Sequence, residues 1–189
     1  MDPEAHAGES REMPPDLAAA NRFASADVVT ILKNQHWLAS GAAAPEVESW
    51  CAEAARLLGP HAADAEAMTA LLRLVFRYDA AGALALPENQ AIVSREWARP
   101  VIRLLSHLIL EGGPVDSDRF KAIITAMKEH LASRGRELFH PIRLALAGQA
   151  GEGELDRVIL LLDGAAALPF AAPVKGTRQR IVEFCAAVD

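Results

Sequence analysis

Apolar residues recur along most of this chain at the three- and four-residue spacing that is typical of α-helices. The clearest stripe follows Asp116, a residue type that caps helix N-termini, and it predicts one amphipathic helix. The apolar residues of this stripe are Phe120, Ile123, Ile124, Met127 and Leu131. No window of useful length alternates with the period of two that strands require. The pattern therefore predicts an all-α protein built from small helical bundles.

Interruptions of the helical pattern predict how the chain is divided. The run Glu111-Gly112-Gly113-Pro114 is the strongest breaker, so we expect a first helical subdomain over residues 26–112 and a second over 113–189. Residues 1–25 hold several prolines and acids without apolar periodicity, which predicts a flexible N-terminal arm. Pro100 interrupts the pattern over residues 91–110 and predicts a kink or two consecutive helices.

Composition narrows the classes of function. The chain has 189 residues and a formal net charge of −6, which argues against non-specific, charge-driven binding along a duplex. Aromatic residues make up 5% of the sequence, too few to favour a platform on which single-stranded bases stack. Lysine and arginine are frequent from Arg119 onward, so a local basic face remains compatible with the acidic total.

The sequence contains none of the common motifs for catalysis or metal binding. The six histidines are scattered, and no zinc-spaced set, P-loop, GxGxxG or GxSxG motif occurs in the sequence. Cys51 and Cys185 fall at apolar helical positions and are predicted to be buried, as reduced cysteines often are. We therefore expect no catalytic residues, no metal and no cofactor. The polar, acidic N-terminus and the lack of a membrane-length apolar run predict a cytoplasmic protein.

The stretch RGRELFHPIRLALAG, residues 134–148, is the most informative of the chain. The spacing predicts a helix that ends at Gly135, an irregular piece, and a short helix that Pro141 opens and Gly148 closes. His140 would then cap this short helix. Arg143 would lie in its first turn, against the helix dipole. Two interpretations of Arg143 stay open: a functional group, or a solvated or ion-paired arginine.

Three segments carry a resemblance to a known family. ELFHPIRLALAG (137–148) resembles the LFxPLRxALTG motif near the C-terminus of bacterial-type glutamyl-tRNA synthetases, and GEGELDRVILLLDG (151–164) resembles the segment that follows it. LKNQHWL (32–38) is more weakly similar to the start of the same helical region. The HIGH-like and KMSKS-like motifs of the catalytic half do not occur. The resemblance implies a free-standing paralogue of the α-helical anticodon-binding region, with no catalytic activity of its own.

The resemblance also implies a binding site and partners. In the family, one arginine and the loop after the following glycine lie against anticodon bases. By position these residues are Arg143, Glu152, Gly153 and Leu155. Arg134 and Arg136 are expected to engage the backbone of the RNA loop. The implied partner is tRNA, with tRNA-Glu first, and a synthetase catalytic subunit is a second candidate.

Two departures from the family pattern leave a second class of function open. Ala147 stands where the family often has threonine, and Glu152 places an anion in the binding loop. The alternative is a helical protein-interaction or regulatory module that has lost RNA binding on an inherited fold.

Overall fold

The computed structural model describes residues 21–188, and every regular element within that range is helical. The predicted all-α fold is confirmed. The arm predicted for residues 1–25 lies, up to residue 20, outside the described residues. A short 3-10 helix at Gly59–His61 follows the second α-helix. The α-helices are α1 Ser25–Asn34, α2 Pro45–Leu58, α3 Ala65–Phe76, α4 Ala80–Leu84, α5 Pro87–Val93, α6 Ala98–Glu111, α7 Ser117–His130, α8 Arg136–Ala147, α9 Glu154–Ala166 and α10 Thr177–Val188.

An aromatic cluster joins the early and late parts of the chain. Trp37 stacks on Phe76 with ring centroids 4.8 Å apart, and Phe170 meets Phe76 edge-on at 5.0 Å. Trp50 packs edge-on against the rings of Phe76 and Phe170, and its indole N–H donates to the Leu161 carbonyl at 3.2 Å. Buried residues from both sides of residue 112 therefore belong to one apolar core. The division into subdomains at residues 112 and 113 stays a prediction.

The prediction for the centre of residues 134–148 was wrong. The preceding helix ends at His130, Gly135 is the N-cap residue, and α8 then runs unbroken from Arg136 with Pro141 inside it. Proline near a helix start removes only one intrahelical hydrogen bond, and burial of Leu138 and Ile142 stabilises the turns on either side of it. Arg143 therefore lies well inside α8, beyond the first turn, and His140 is not a cap.

Two further predictions concern breaks between helices. The two consecutive helices predicted around Pro100 are present as α5 and α6, with Pro100 in the first turn of α6. The apolar stripe of residues 155–162 predicts a helix that ends at Gly164, and this prediction is wrong because α9 continues to Ala166. A methyl group at Gly164 would lie 3.4 Å from a ring carbon of Trp50. Gly164 thus marks the close approach of α2 to α9 rather than a helix end.

Arginines close the C-terminal ends of several helices by donating to carbonyls that lack intrahelical partners. Arg119 and Arg178 donate to the end of α6, at the Leu108 carbonyl (2.8 Å) and the Leu110 carbonyl (2.5 Å). Arg134 does the same for α7, and Arg180 for α3 and α8. Part of the positive charge counted in the second half of the sequence is therefore used within the fold. Within residues 21–188, no helix has the length and apolar character needed to cross a membrane.

Replacement of Gly148 by alanine is expected to lower the free energy of unfolding by about 1–2 kcal/mol. Gly148 ends α8 with φ +80°, a left-handed conformation that side chains disfavour. Urea denaturation measures the change. Gly113→Ala is the matched control, because Gly113 has no such φ and a methyl group there meets no atom within 4 Å. Equal losses for the two variants would contradict this explanation.

Candidate functional site

The Arg143 guanidinium is held by the protein itself through each of its three nitrogen atoms. Only 8% of Arg143 is exposed, and its Nε and Nη2 donate to the two carboxylate oxygens of Asp156 at 2.7 and 2.9 Å. Nη1 donates to the Gly151 carbonyl at 2.8 Å, and the Phe139 ring lies 4.9 Å from the guanidinium carbon. Such a two-pronged pair between arginine and carboxylate is geometrically demanding. Of the two interpretations left open by the sequence, the ion-paired one describes this structure.

These contacts fix the loop between α8 and α9, residues 148–153. Arg143 holds the loop at Gly151, where a methyl group would lie 2.8 Å from a terminal carbon of Leu155. Leu155 is 2% exposed and anchors the other side of the loop in the core. Glu152 and Gly153 are exposed, and a methyl group on Gly153 would meet no atom within 4 Å. The loop therefore presents two exposed residues, Glu152 and Gly153, between the fixed points at Gly151 and Leu155.

Arg136 lies beside the loop and faces Glu152. Its guanidinium is 3.6 Å from the Glu152 carboxylate, and both side chains are mostly exposed to water. An exposed pair of this kind contributes at most about 1 kcal/mol, so it exchanges readily for another anion. Arg136 also offsets the negative charge that Glu152 places in the loop.

Arg134 is exposed, but its guanidinium is bonded to the end of α7. It donates to the carbonyls of Lys128 (2.7 Å), Leu131 (2.6 Å) and Ser133 (2.8 Å). These bonds hold the chain in the turn that leads into α8. Arg134 thus combines a surface position with a structural role that sequence reasoning had not foreseen.

A cleft of about 270 Å³ beside the loop was not predicted. Three exposed cationic or titratable side chains reach it, from the 3-10 helix, α7 and α9 respectively: His61, Lys121 and Arg157. Ser117 and Gly153 also line it, so the N-terminal ends of α7 and α9, with their positive dipole ends, lie at this cleft. The sequence holds these side chains far apart, and only tertiary packing brings them together.

Lowering the pH below 6.5 is expected to destabilise the protein through His140. Its Nε2 is buried without a hydrogen-bond partner in residues 21–188, and burial, followed by the charges of Arg136 and Arg143, lowers the pKa of its imidazole below the ordinary 6.5. Since the unfolded chain then binds the proton more readily, stability is retained above pH 6.5 and declines as the pH falls from there. Urea titrations of wild type and His140→Gln at several pH values measure this, and parallel pH curves would contradict it.

Comparisons with known proteins relate part of this chain to one class of enzyme. A segment of 78 residues, 41% of the chain, is 37% identical to "Glutamate--tRNA ligase 2" of Syntrophus aciditrophicus (strain SB). A segment of 75 residues, 40% of the chain, is 29% identical to "Glutamate--tRNA ligase" of Heliobacterium modesticaldum (strain ATCC 51547 / Ice1). The matched segments span only 16% and 15% of the lengths of these ligases. No family model matches the chain, and no solved structure matches it significantly.

This chain therefore contains a region related to glutamate–tRNA ligases. Among residues 21–188, no group of histidine, cysteine and carboxylate side chains is arranged to hold a metal ion. The most distinctive local feature is the loop between α8 and α9, with the cleft at its side.

Proposed function

We propose that this chain is a tRNA-binding module, similar to an anticodon-recognition region, without catalytic activity of its own. The observation that carries the proposal is the loop between α8 and α9, which the buried Arg143 fixes in place beside a cleft lined by Lys121 and Arg157 together with the paired carboxylate of Asp156. The relationship to enzymes named as tRNA ligases supports it. The preferred ligand is tRNA-Glu, and the module acts beside the catalytic subunit of a glutamyl-tRNA synthetase.

The structure supports a division of roles among the candidate residues. Glu152 and Gly153 are the exposed residues of the loop and contact unstacked bases, which are the usual targets of sequence-specific RNA recognition. Arg143 holds this part of the loop in place through its bond to the Gly151 carbonyl, and Leu155 does so through its burial in the core. Arg136 exchanges Glu152 for an RNA phosphate.

The cleft supplies further contacts to the RNA backbone. Lys121 and Arg157 are exposed and separated in sequence, yet they line the same cavity next to Gly153. Arg134 contributes indirectly, because its bonds to the end of α7 position the turn that carries Arg136. A phosphate bound at this cleft would also face the positive ends of two helix dipoles.

Reversing the two cleft charges tests the proposal. Lys121→Glu combined with Arg157→Glu is expected to weaken binding of a fluorescent anticodon stem-loop and to reduce the slope of log affinity against log salt by about two. The control is Arg22→Glu combined with Arg73→Glu, which makes the same change in net charge at exposed positions outside the cleft. Equal effects of the two double variants would contradict the proposed site. A wild-type chain that binds no stem-loop would favour a protein-interaction module instead.

A further inference from the structure

The outer face of α6 carries a second group of cations, away from the α8–α9 loop. Arg99 and Arg103, followed by His107, are exposed and four residues apart, so they lie on one face of the helix and rise about 6 Å from one to the next. We refer to Arg99 and Arg103 as the α6 arginine row.

Among residues 21–188, no acidic side chain neutralises the α6 arginine row. Within residues 21–188, neither arginine has a carboxylate within 4 Å, although Glu96 precedes Arg99 by three positions. Like charges four residues apart destabilise a helix by several tenths of a kcal/mol. The chain has 25 acidic residues against 19 lysines and arginines, so acidic partners are abundant. Unpaired arginines on an acidic protein mark a surface suited to an external anion.

The row contrasts with the arginines that the fold uses internally. Five arginines beyond residue 118 donate to backbone carbonyls at helix or loop ends: Arg119, Arg134, Arg143, Arg178 and Arg180. In the part of the chain that the structure describes, the guanidinium groups of Arg99 and Arg103 make no such bond. Their planar forks are free to meet phosphate oxygens two at a time.

Polar and cationic groups connect the α6 arginine row to the α8–α9 loop. An open cavity of about 500 Å³ is lined by Arg103 and His107 from α6 and by His130 and Leu131 at the end of α7. The Leu131 carbonyl accepts a bond from Arg134 at 2.6 Å. Two residues further on, Arg136 faces Glu152 of the loop. Arg136 and Arg134 therefore lie between the loop and Arg103, while His107 on this side of α6 is paired with Glu111 at 3.2 Å.

We propose that the α6 arginine row binds the phosphate backbone of an RNA stem whose loop lies at the α8–α9 loop. The inference rests on the proposed function, and it adds the path that the RNA stem takes across the protein surface. Evenly spaced arginines along one helix face suit a linear polymer of phosphates, and each phosphate bound displaces condensed counterions. Because phosphates carry no base identity, the row contributes affinity and orientation but no sequence preference.

Two labelled hairpins with the same anticodon loop, one with a short stem and one with a long stem, test the inference. Wild type is expected to bind the long-stemmed hairpin more tightly and with a steeper salt dependence. Arg99→Glu combined with Arg103→Glu is expected to lose that advantage, with the salt slope for the long hairpin reduced by about two. Its affinity for the short hairpin should stay near that of wild type. The control with Arg22→Glu and Arg73→Glu should retain the preference for the long stem.

The outcomes separate this inference from the function on which it rests. If wild type binds both hairpins and the row variant still prefers the long stem, the inference is overturned, while RNA binding at the loop stands; the row would then suit an acidic protein. If wild type binds neither hairpin, the proposed function and the inference both fail. Circular dichroism checks the fold of each variant. If the charge-reversal variant does not fold, Arg99→Gln combined with Arg103→Gln replaces it. This variant is expected to lose the preference for the long stem to a smaller extent.

Discussion

Replacement of Arg180 by alanine is expected to lower the free energy of unfolding by about 3–5 kcal/mol. Arg180 is fully buried, yet no carboxylate of residues 21–188 pairs with it. Its guanidinium donates to backbone carbonyls at the ends of α3 and α8 and before α10, with the Tyr78 ring 4.6 Å away. The carbonyls belong to Leu74 (2.9 Å), Val75 (2.5 Å), Leu146 (2.8 Å) and Lys175 (2.8 Å). Alanine would leave all of these acceptors without this donor.

The charge of Arg180 is compatible with its burial. Burial lowers the pKa of its guanidinium to about 10, so the group stays protonated at neutral pH. Urea denaturation at pH 7 measures the loss on Arg180→Ala. Arg180→Lys should also destabilise, because an ammonium cannot reproduce the planar fork. Arg178→Ala, which removes an exposed cap of α6, is the control and should cost about 1 kcal/mol. Similar losses for Arg178→Ala and Arg180→Ala would contradict this account.

Replacement of Arg143 by alanine is expected to cost about 2–3 kcal/mol of stability and to abolish selective stem-loop binding. The change leaves the Asp156 carboxylate, whose side chain is 22% exposed, without its bidentate partner. It also frees the Gly151 carbonyl that fixes the α8–α9 loop. Urea denaturation, stem-loop titration and amide hydrogen exchange over residues 151–153 measure these effects separately.

A second variant separates a positioning role of Arg143 from direct contact with a base. Asp156→Asn weakens the hold on Arg143 without removing the arginine. If Arg143 acts by fixing the loop, Asp156→Asn should also speed amide exchange in the loop and weaken stem-loop binding. If Arg143 itself binds a base, its release from Asp156 should leave affinity unchanged or raise it. The latter result would contradict the positioning role.

Local chemistry made several features predictable from the sequence. Asp64 and Asp116 are of a residue type that predicts a helix cap, and both predictions are confirmed: their carboxylates accept bonds from the amides of Ala67 and Arg119, both at 2.8 Å. Serine is also a common cap, so the sequence predicts Ser25 as the cap of α1; this prediction is wrong, because Ala24 occupies that position and the Asp27 carboxylate accepts a bond from its amide at 2.8 Å. A helix cap depends on a few neighbouring atoms, so the predicted position is either correct or, as at α1, displaced by one residue.

Burial could be predicted where a side chain sits well inside an apolar stripe. Cys51 is fully buried, as predicted, and burial raises the pKa of its thiol to about 12. Cys185, near the end of the last helix, is only half-buried. The apolar stripes thus predict burial correctly at the centre of the core, as for Cys51, and less well at its edge, as for Cys185.

The candidate site depends on contacts that no local pattern contains. Arg143 meets Asp156 thirteen residues along the chain, and nothing in the spacing distinguishes that acid from its neighbours. The cleft unites side chains from three elements, and Arg180 reaches carbonyls over a hundred residues away. Pro141 is a further example: proline usually begins or interrupts a helix, but here it lies inside α8, whose neighbouring residues are buried in the core. The resemblance pointed to the segment around Arg143, but the contacts of Arg143 with Asp156 and Gly151 are visible only in the packed structure.

Equilibrium titration of the chain with two labelled RNAs tests whether the α8–α9 loop recognises the anticodon loop of tRNA-Glu. One is the anticodon stem-loop of tRNA-Glu, and the other is an unrelated stem-loop of equal length and charge. At both low and moderate salt, the account predicts tighter binding of the tRNA-Glu stem-loop, because backbone contacts weaken with salt while base contacts at the α8–α9 loop retain the preference. Equal affinity for the two RNAs, or no binding of either, would contradict it.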